Sequence, residues 1–199
     1  MDFLDNCTFC RLNEEVIEEC EEFECTHNQE IKSFFRTDYK DYEQELLGKS
    51  YCFISDSPVK ELVCAFSVAN SSVRLDILPN RRRNKINRRI PNVKRNSQYP
   101  AVLVGQLAVF DKFRGKGIGK ELLDFIKSWF RHHTNKTGCR YIVVDAINNP
   151  KVLNFYRENG FELMFSSDTE ELECLRGHSH SLCKTRLMFF ELMNLNTQE

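Results

Sequence analysis

The sequence contains no apolar run approaching eighteen residues, so no membrane-spanning helix is expected. Its first residues, Met1-Asp2-Phe3-Leu4-Asp5-Asn6, lack the basic stretch and following apolar stretch of a secretory leader. The expected setting is therefore the cytoplasm. No internal repeat and no Gly/Ser linker interrupts the chain. The expectation is one domain over residues 1–199, long enough to bury one core. Net charge is nearly absent at −1, and with 41% hydrophobic against 29% charged residues a globally disordered chain is excluded. Tryptophan occurs once against 16 phenylalanines, which points to an aromatic-rich core.

Cysteine is not scarce. Nine are present, an odd number, and several sit inside apolar runs, such as Cys52 within 51–54 and Cys64 within 62–66. There they read as small hydrophobes, and a disulfide framework is not expected in a reducing compartment. Two groups have zinc-like spacing: Cys7, Cys10, Cys20 and Cys25, and then Cys174, His178, His180 and Cys183. Four such ligands could close a tetrahedral site. Core thiols near the N-terminus and a polar hairpin loop near the C-terminus explain the same residues, and no metal is expected.

The small net charge hides an asymmetry. Eight basic residues and no acidic one lie between Arg81 and Arg95: Arg81, Arg82, Arg83, Lys85, Arg88, Arg89, Lys94 and Arg95. The remainder holds 20 basic against 29 acidic residues, so one basic segment sits on an acidic body. Pro79 and Pro91 bracket or interrupt this segment, so it reads as a loop or short interrupted helix, a basic insertion at about 79–97.

Periodicity places the remaining elements. Residues 28–47 carry Ile31, Phe34, Phe35, Tyr39, Tyr42, Leu46 and Leu47 at the spacing of one or two amphipathic helices. Residues 51–55 and 62–73 read as strands around an Asp56-Ser57-Pro58 turn, and 101–110 as a further strand. A helix carrying Leu122, Leu123, Phe125, Ile126, Trp129 and Phe130 follows. Residues 140–146 form a buried strand. Pro150 can open the next helix and Gly160 end it. Residues 161–165 and 185–192 close as a strand pair around a long polar hairpin excursion at about 166–184. The order is that of an α/β (α+β) fold with six to seven strands.

Between the 101–110 strand and its helix lies Arg114-Gly115-Lys116-Gly117-Ile118-Gly119. Glycines at alternate positions let the backbone turn tightly and approach a ligand closely. Free N–H groups at the positive end of the helix dipole then form an anion cradle that suits a pyrophosphate. Arg114, Lys116 and Lys120 add positive charge beside it. A Walker loop is excluded, because no Gly-Lys-Ser/Thr occurs at the required spacing, and the Gly-x-Gly-x-Gly spacing is not that of a dinucleotide-binding loop. A plain tight turn would use the same glycines.

The downstream residues decide between these. Gln106-Leu107-Ala108-Val109, then Arg114-x-x-Gly117-x-Gly119, then Asn149-x-x-Val152-x-x-Phe155-Tyr156 with Gly160-Phe161, together resemble the GNAT superfamily of N-acetyltransferases. The resemblance covers roughly residues 100–165. It implies a mixed, mostly antiparallel sheet of six to seven strands flanked by helices, with a splayed central strand pair, and acetyl-CoA as cofactor. It further implies that backbone groups of Leu107, Ala108 and Val109 bond the pantetheine arm. One of them would stabilise the thioester oxyanion. N–H groups of Gly115, Lys116, Gly117, Ile118, Gly119 and Lys120 would hold the pyrophosphate, and Asn149 would contact the cofactor arm. Tyr156 would be the general acid that protonates the departing thiolate. A core tyrosine bonded to backbone is the plainer reading of that residue.

Upstream, Phe23-Glu24-Cys25 followed by Ile31, Phe34 and Phe35 is similar to the GNAT subfamily that includes toxins of bacterial toxin–antitoxin pairs, as are Gln106–Val109 and Val143-Val144-Asp145-Ala146. That resemblance implies aminoacyl-tRNA as acceptor and a small antitoxin protein as partner, in a monomer or homodimer. Arg81, Arg82, Arg83, Lys85, Arg88 and Arg89 are then candidate tRNA-phosphate contacts, since eight cations in fifteen residues make a local positive field. A solvated loop, or one contacting the cofactor's own phosphates, would carry the same charge. A small amine, peptide or protein lysine is the alternative acceptor, and a non-catalytic acyl-CoA- or RNA-binding protein the alternative to an enzyme.

Overall fold

The computed structural model describes residues 3–91, 95–135, 137–176 and 182–195. Lys94 of the basic run, and His178 and His180 of the second Cys/His group, lie outside these residues. The helices are α1 (Glu14–Glu19), α2 (Gln29–Ser33), α3 (Tyr39–Gln44), α4 (Asn80–Arg88), α5 (Ile118–Arg131), α6 (Pro150–Glu158) and α7 (Asp168–Arg176). The strands are β1 (Cys7–Arg11), β2 (Lys49–Ser55), β3 (Leu62–Arg74), β4 (Gln98–Val109), β5 (Tyr141–Ile147), β6 (Glu162–Leu163) and β7 (Thr185–Glu191). They hydrogen-bond in the order β1-β2-β3-β4-β5-β7-β6. The pairs β1–β2, β2–β3, β5–β7 and β6–β7 are antiparallel, while β4 and β5 are joined through α5 and run parallel. This is the mixed, mostly antiparallel sheet flanked by helices that the sequence implied.

Two compact units divide the chain, Met1–Asn70 with Val104–Trp129, and Ser71–Leu103 with Phe130–Glu199. In the first unit, β1 pairs β2 with Phe9 opposite Phe53 and Cys10 opposite Cys52. Neighbouring side chains on a strand point to opposite faces, so these two pairs serve two different layers. Phe53, Phe9, Tyr51 and Phe66 meet Phe125 and Trp129 of α5 in a contiguous aromatic cluster. On the other face, Cys52, Leu62 and Ala65 pack against Phe34, Phe35 and Tyr39. Those aromatics come from a continuous stretch in which α2 passes into a π-helical turn (Phe34–Asp38) and then into α3. Asn28 caps α2, its side chain accepting from Ile31 N–H.

In the second unit, the core gathers Val73, Leu75, Leu78, Ile86, Ile90, Tyr99, Ala101, Tyr141, Val143, Met164, Phe165 and Phe189. β5 and β7 pair along their full lengths, from Tyr141 opposite Glu191 to Ile147 opposite Thr185. The start of β4 is bonded to the start of β5, Arg140 N–H donating to Pro100 O at 2.9 Å. Asn149 caps α6 and Pro150 occupies its first turn, where the missing N–H costs nothing. Gly160, at φ +81°, ends it, as expected.

The basic segment, read as a loop or a short interrupted helix, contains the short nine-residue helix α4 ahead of Pro91, with Ile86 buried. One sequence expectation needs correction. The polar excursion before the last strand is not simply a hairpin, because its first part is α7. The buried position of α7 is held by a charge: Glu171 is 3% exposed and bonds Arg186, which is 5% exposed.

Candidate functional site

The glycine turn belongs to the first unit. Gly115 and Gly117 have φ of +75° and +85°, a region that costs an L-residue about 1–2 kcal/mol. A Cβ on Gly115 would meet nothing within 4 Å, and one on Gly117 only Glu121 Oε1 at 3.9 Å. Conformation rather than crowding therefore demands glycine here. The turn delivers the chain into α5, whose first bond runs from Lys120 N–H to Gly117 O at 3.0 Å. The N–H groups from Gly115 to Gly119 have no backbone acceptor among the described residues, which is the state of an open helix N-terminus. Arg114, Lys116 and Lys120 are all exposed beside it.

The strand leading into this turn is fixed from two directions. Gln106 N–H donates to Ser67 Oγ at 2.9 Å, and Phe110 N–H to Val63 O at 3.1 Å. Between these anchors Ala108 is buried, while Leu107 and Val109 are half-buried. The chain after β4 is braced by Asp111, whose Oδ2 accepts Thr26 N–H at 2.8 Å. That bond holds the Asp111 carboxyl below its ordinary value. Nothing in the sequence separated Ser67 or Asp111 from other polar residues. Both act on segments distant in the chain, which single-sequence spacing does not register.

The second unit carries the other family residues. Asn149 Oδ1 accepts Lys151 N–H at 2.9 Å in capping α6, and its exposed amide N–H groups make no hydrogen bond among the described residues. Tyr156 lies on α6 between Phe155 and Phe161, with ring centroids at 5.3 and 5.4 Å. Its hydroxyl has no hydrogen-bond partner among the described residues, and burial pushes the phenol up to about 12.

The basic helix α4 is less free than its composition suggests. Glu162 of β6 takes Arg82 at 3.2 Å, Lys85 at 2.5 Å and Arg89 at 3.5 Å. Burial pushes the Glu162 carboxyl up, but Lys85, Arg89 and Arg82 together hold it below its ordinary value. Arg89 also reaches Glu191 at 3.0 Å, a 3%-exposed carboxylate that Arg140 grips from the other side at 2.6 Å. Arg83 donates to the carbonyls of Leu75, Asp76 and Leu78. Of the six candidate phosphate contacts, Arg81 and Arg88 alone make no ion pair or side-chain hydrogen bond among the described residues. Seven positions apart, they share one exposed face of the helix.

No group of three or more metal-ligating side chains with metal-site geometry occurs among the described residues. Of the first Cys group, Cys10 lies beside Cys52 and Cys25 beside His27.

Residues 89–163 match the family model described as an acetyltransferase (GNAT) domain. The chain superposes on a mutant of KacT with a TM-score of 0.70 at 17% identity, covering 94% of this chain and 96% of that one. It superposes on AtaT complexed with acetyl-methionyl-tRNAfMet with a TM-score of 0.65 at 17% identity, covering 94% and 96%. On AtaTR bound with acetyl-CoA the TM-score is 0.62 at 16% identity, covering 95% of each chain. The chain has the GNAT fold. The strand, glycine turn and α6 that carried the resemblance all fall within this fold's matched segment, except that the match also takes in the end of the basic segment from Arg89 onward. No curated protein matches the chain in sequence. No helix among the described residues is long and apolar enough to cross a membrane.

Proposed function

We propose that the protein is an acetyl-CoA-dependent N-acetyltransferase that acts on aminoacyl-tRNA. The observation that carries the enzymatic reading is the glycine turn at the start of α5, inside the GNAT-matched segment, with its row of unpaired N–H groups. Those groups fit a pyrophosphate, and the exposed Arg114, Lys116 and Lys120 complement it. Acetyl-CoA supplies the acetyl group as a thioester. Backbone groups at Leu107, Ala108 and Val109 would hold the pantetheine arm, and one N–H there would stabilise negative charge on the thioester carbonyl oxygen. The Asn149 amide would contact the arm. Tyr156 would donate its proton to the thiolate, for which its unbonded hydroxyl is suited. The acceptor amine attacks in its neutral form. An α-amino group titrates near ~8 and a lysine near ~10.4, so an aminoacyl ester presents more free base at neutral pH.

AtaT was captured with acetyl-methionyl-tRNAfMet, and AtaT has been caught with the C-terminus of the antitoxin AtaR. By this likeness tRNA is the acceptor here and a small antitoxin protein the partner. The deciding experiment incubates the protein with acetyl-CoA and charged tRNA and weighs the aminoacyl group by mass spectrometry. A gain of one acetyl group is expected. Acetylation of free amines or lysine peptides with untouched tRNA would select the alternative acceptor, and no transfer to any amine would select a binding protein.

Substitutions probe the glycine turn and the basic helix separately. Gly117→Val forces a β-branched residue into the left-handed region, and the turn will leave its conformation. Coenzyme A affinity by calorimetry is expected to fall about tenfold or more, since the strain at stake is about 1–2 kcal/mol. The double change Arg81→Glu/Arg88→Glu removes the two cations that have no ion pair. With tRNA as acceptor, kcat/KM should drop at least tenfold. The slope of its logarithm against log salt should flatten by about one for each phosphate-binding cation replaced. Unchanged tRNA kinetics would take α4 out of acceptor binding.

A further inference from the structure

Cys10 and Cys52 face each other directly across the β1–β2 ladder, with Sγ atoms 3.5 Å apart. Directly opposed residues on antiparallel strands have Cα separations within the range a disulfide requires. The two sulfurs need only close to about 2.05 Å by side-chain rotation. All nine cysteines are free thiols. Cys10 is half-buried, within reach of a small oxidant, whereas Cys52 is fully buried beneath Phe35 and Tyr39.

From this arrangement we infer that Cys10 and Cys52 form a peroxide-responsive dithiol, Cys10 as the attacking sulfur and Cys52 as the resolving one. The electrostatics favour Cys10 as the sulfur that meets the oxidant, and the direct juxtaposition makes Cys52 the resolving partner. The hydrogen bond with Cys52 holds the Cys10 thiol below its ordinary value against the opposing effect of burial. The same contact, followed by burial, pushes Cys52 up. Burial also pushes up the nearby Cys7, Cys20 and Cys64. The thiolate is the reactive form, so Cys10 is the favoured entry point.

The Cys10 thiolate attacks one oxygen of hydrogen peroxide. The O–O bond breaks, leaving a sulfenic acid and hydroxide. Cys52 sulfur then attacks the Cys10 sulfur; the S–O bond breaks and the hydroxyl departs as water with the Cys52 proton. Two electrons pass from the sulfur pair to the peroxide, and a thiol reductant reverses the bond. The new bond ties edge strand β1 to β2 and closes a loop containing α1, α2 and α3, which restricts the unfolded chain.

The test treats the reduced full-length protein with stoichiometric hydrogen peroxide, blocks remaining thiols and maps peptides by mass. Expected are one Cys10–Cys52 cross-linked peptide, an intact mass lower by two hydrogens, and a melting temperature raised by several degrees, all reversed by dithiothreitol. Cys10→Ser, at a half-buried position, should abolish the cross-link, and Cys20→Ser should leave it intact. The inference falls if Cys10→Ser retains the mass loss, if Cys20→Ser removes the cross-link, or if wild-type Cys10 proceeds to sulfinic acid without joining Cys52.

Discussion

With Tyr156 in the proposed role of general acid, Tyr156→Phe will lower the rate of acetyl transfer by about 100-fold or more while leaving coenzyme A affinity within a factor of about two, because on that assignment only the proton donor is lost. The ring of Tyr156 is held by Phe155 and Phe161, and phenylalanine keeps that packing. Its hydroxyl bonds no described residue, so its removal leaves no buried partner unsatisfied and stability should hardly change. Burial pushes the phenol up to about 12, so the donor stays protonated far into the alkaline range. For an α-amine acceptor, kcat/KM should rise with pH toward about 8 and then stay level through pH 10. Stopped assays with charged tRNA over pH 6–10 read both effects. Undiminished turnover in Tyr156→Phe would remove the acid assignment, and a fall setting in below pH 10 would mean the phenol ionises earlier than its burial dictates.

How far the sequence reached depends on where each element's signal lies. β2, β3, β4 and β5 were legible because long apolar runs in this composition can only be buried. α5 and α6 were legible because a helical apolar stripe and the Pro150/Gly160 punctuation agree. β1 was not located, since Cys7-Thr8-Phe9-Cys10-Arg11 is a short edge strand whose apolar partners, Tyr51 and Phe53, lie more than forty residues away. α4 was blurred because one buried residue, Ile86, leaves no periodicity to count. The basic run shows the same limit in its charges. Composition counts eight cations, yet Glu162 and Glu191, some 70–100 residues onward, engage Arg82, Lys85 and Arg89. The glycine turn was the reverse case. Its conformation is local, so spacing alone pointed to the tight turn and the open helix start.

α7 was missed for a physical reason that supplies the second large effect. A helix is found by its apolar stripe, but the inward position of α7 is Glu171, which is 3% exposed. Its Oε2 takes Arg186 Nε at 2.6 Å and its Oε1 takes Leu187 N–H at 2.6 Å. Arg186 also engages Asp168 at the start of the helix, and donates to Phe165 O at 3.0 Å. Every charge in this buried network therefore has partners on α7, on β7 or just after β6. Arg186→Met fills similar volume but leaves Glu171 buried with its counter-charge gone. Removing one member of a buried pair costs about 3–5 kcal/mol, a large part of a domain's total stability. The urea midpoint should fall accordingly, and expression at 37 °C should suffer with it. Adding Glu171→Gln removes the stranded charge, so the double variant should recover part of the loss, as interacting residues depart from additivity. A single-variant cost below about 1 kcal/mol would mean that apolar packing, not the Arg186–Glu171 bridge, holds α7 in place.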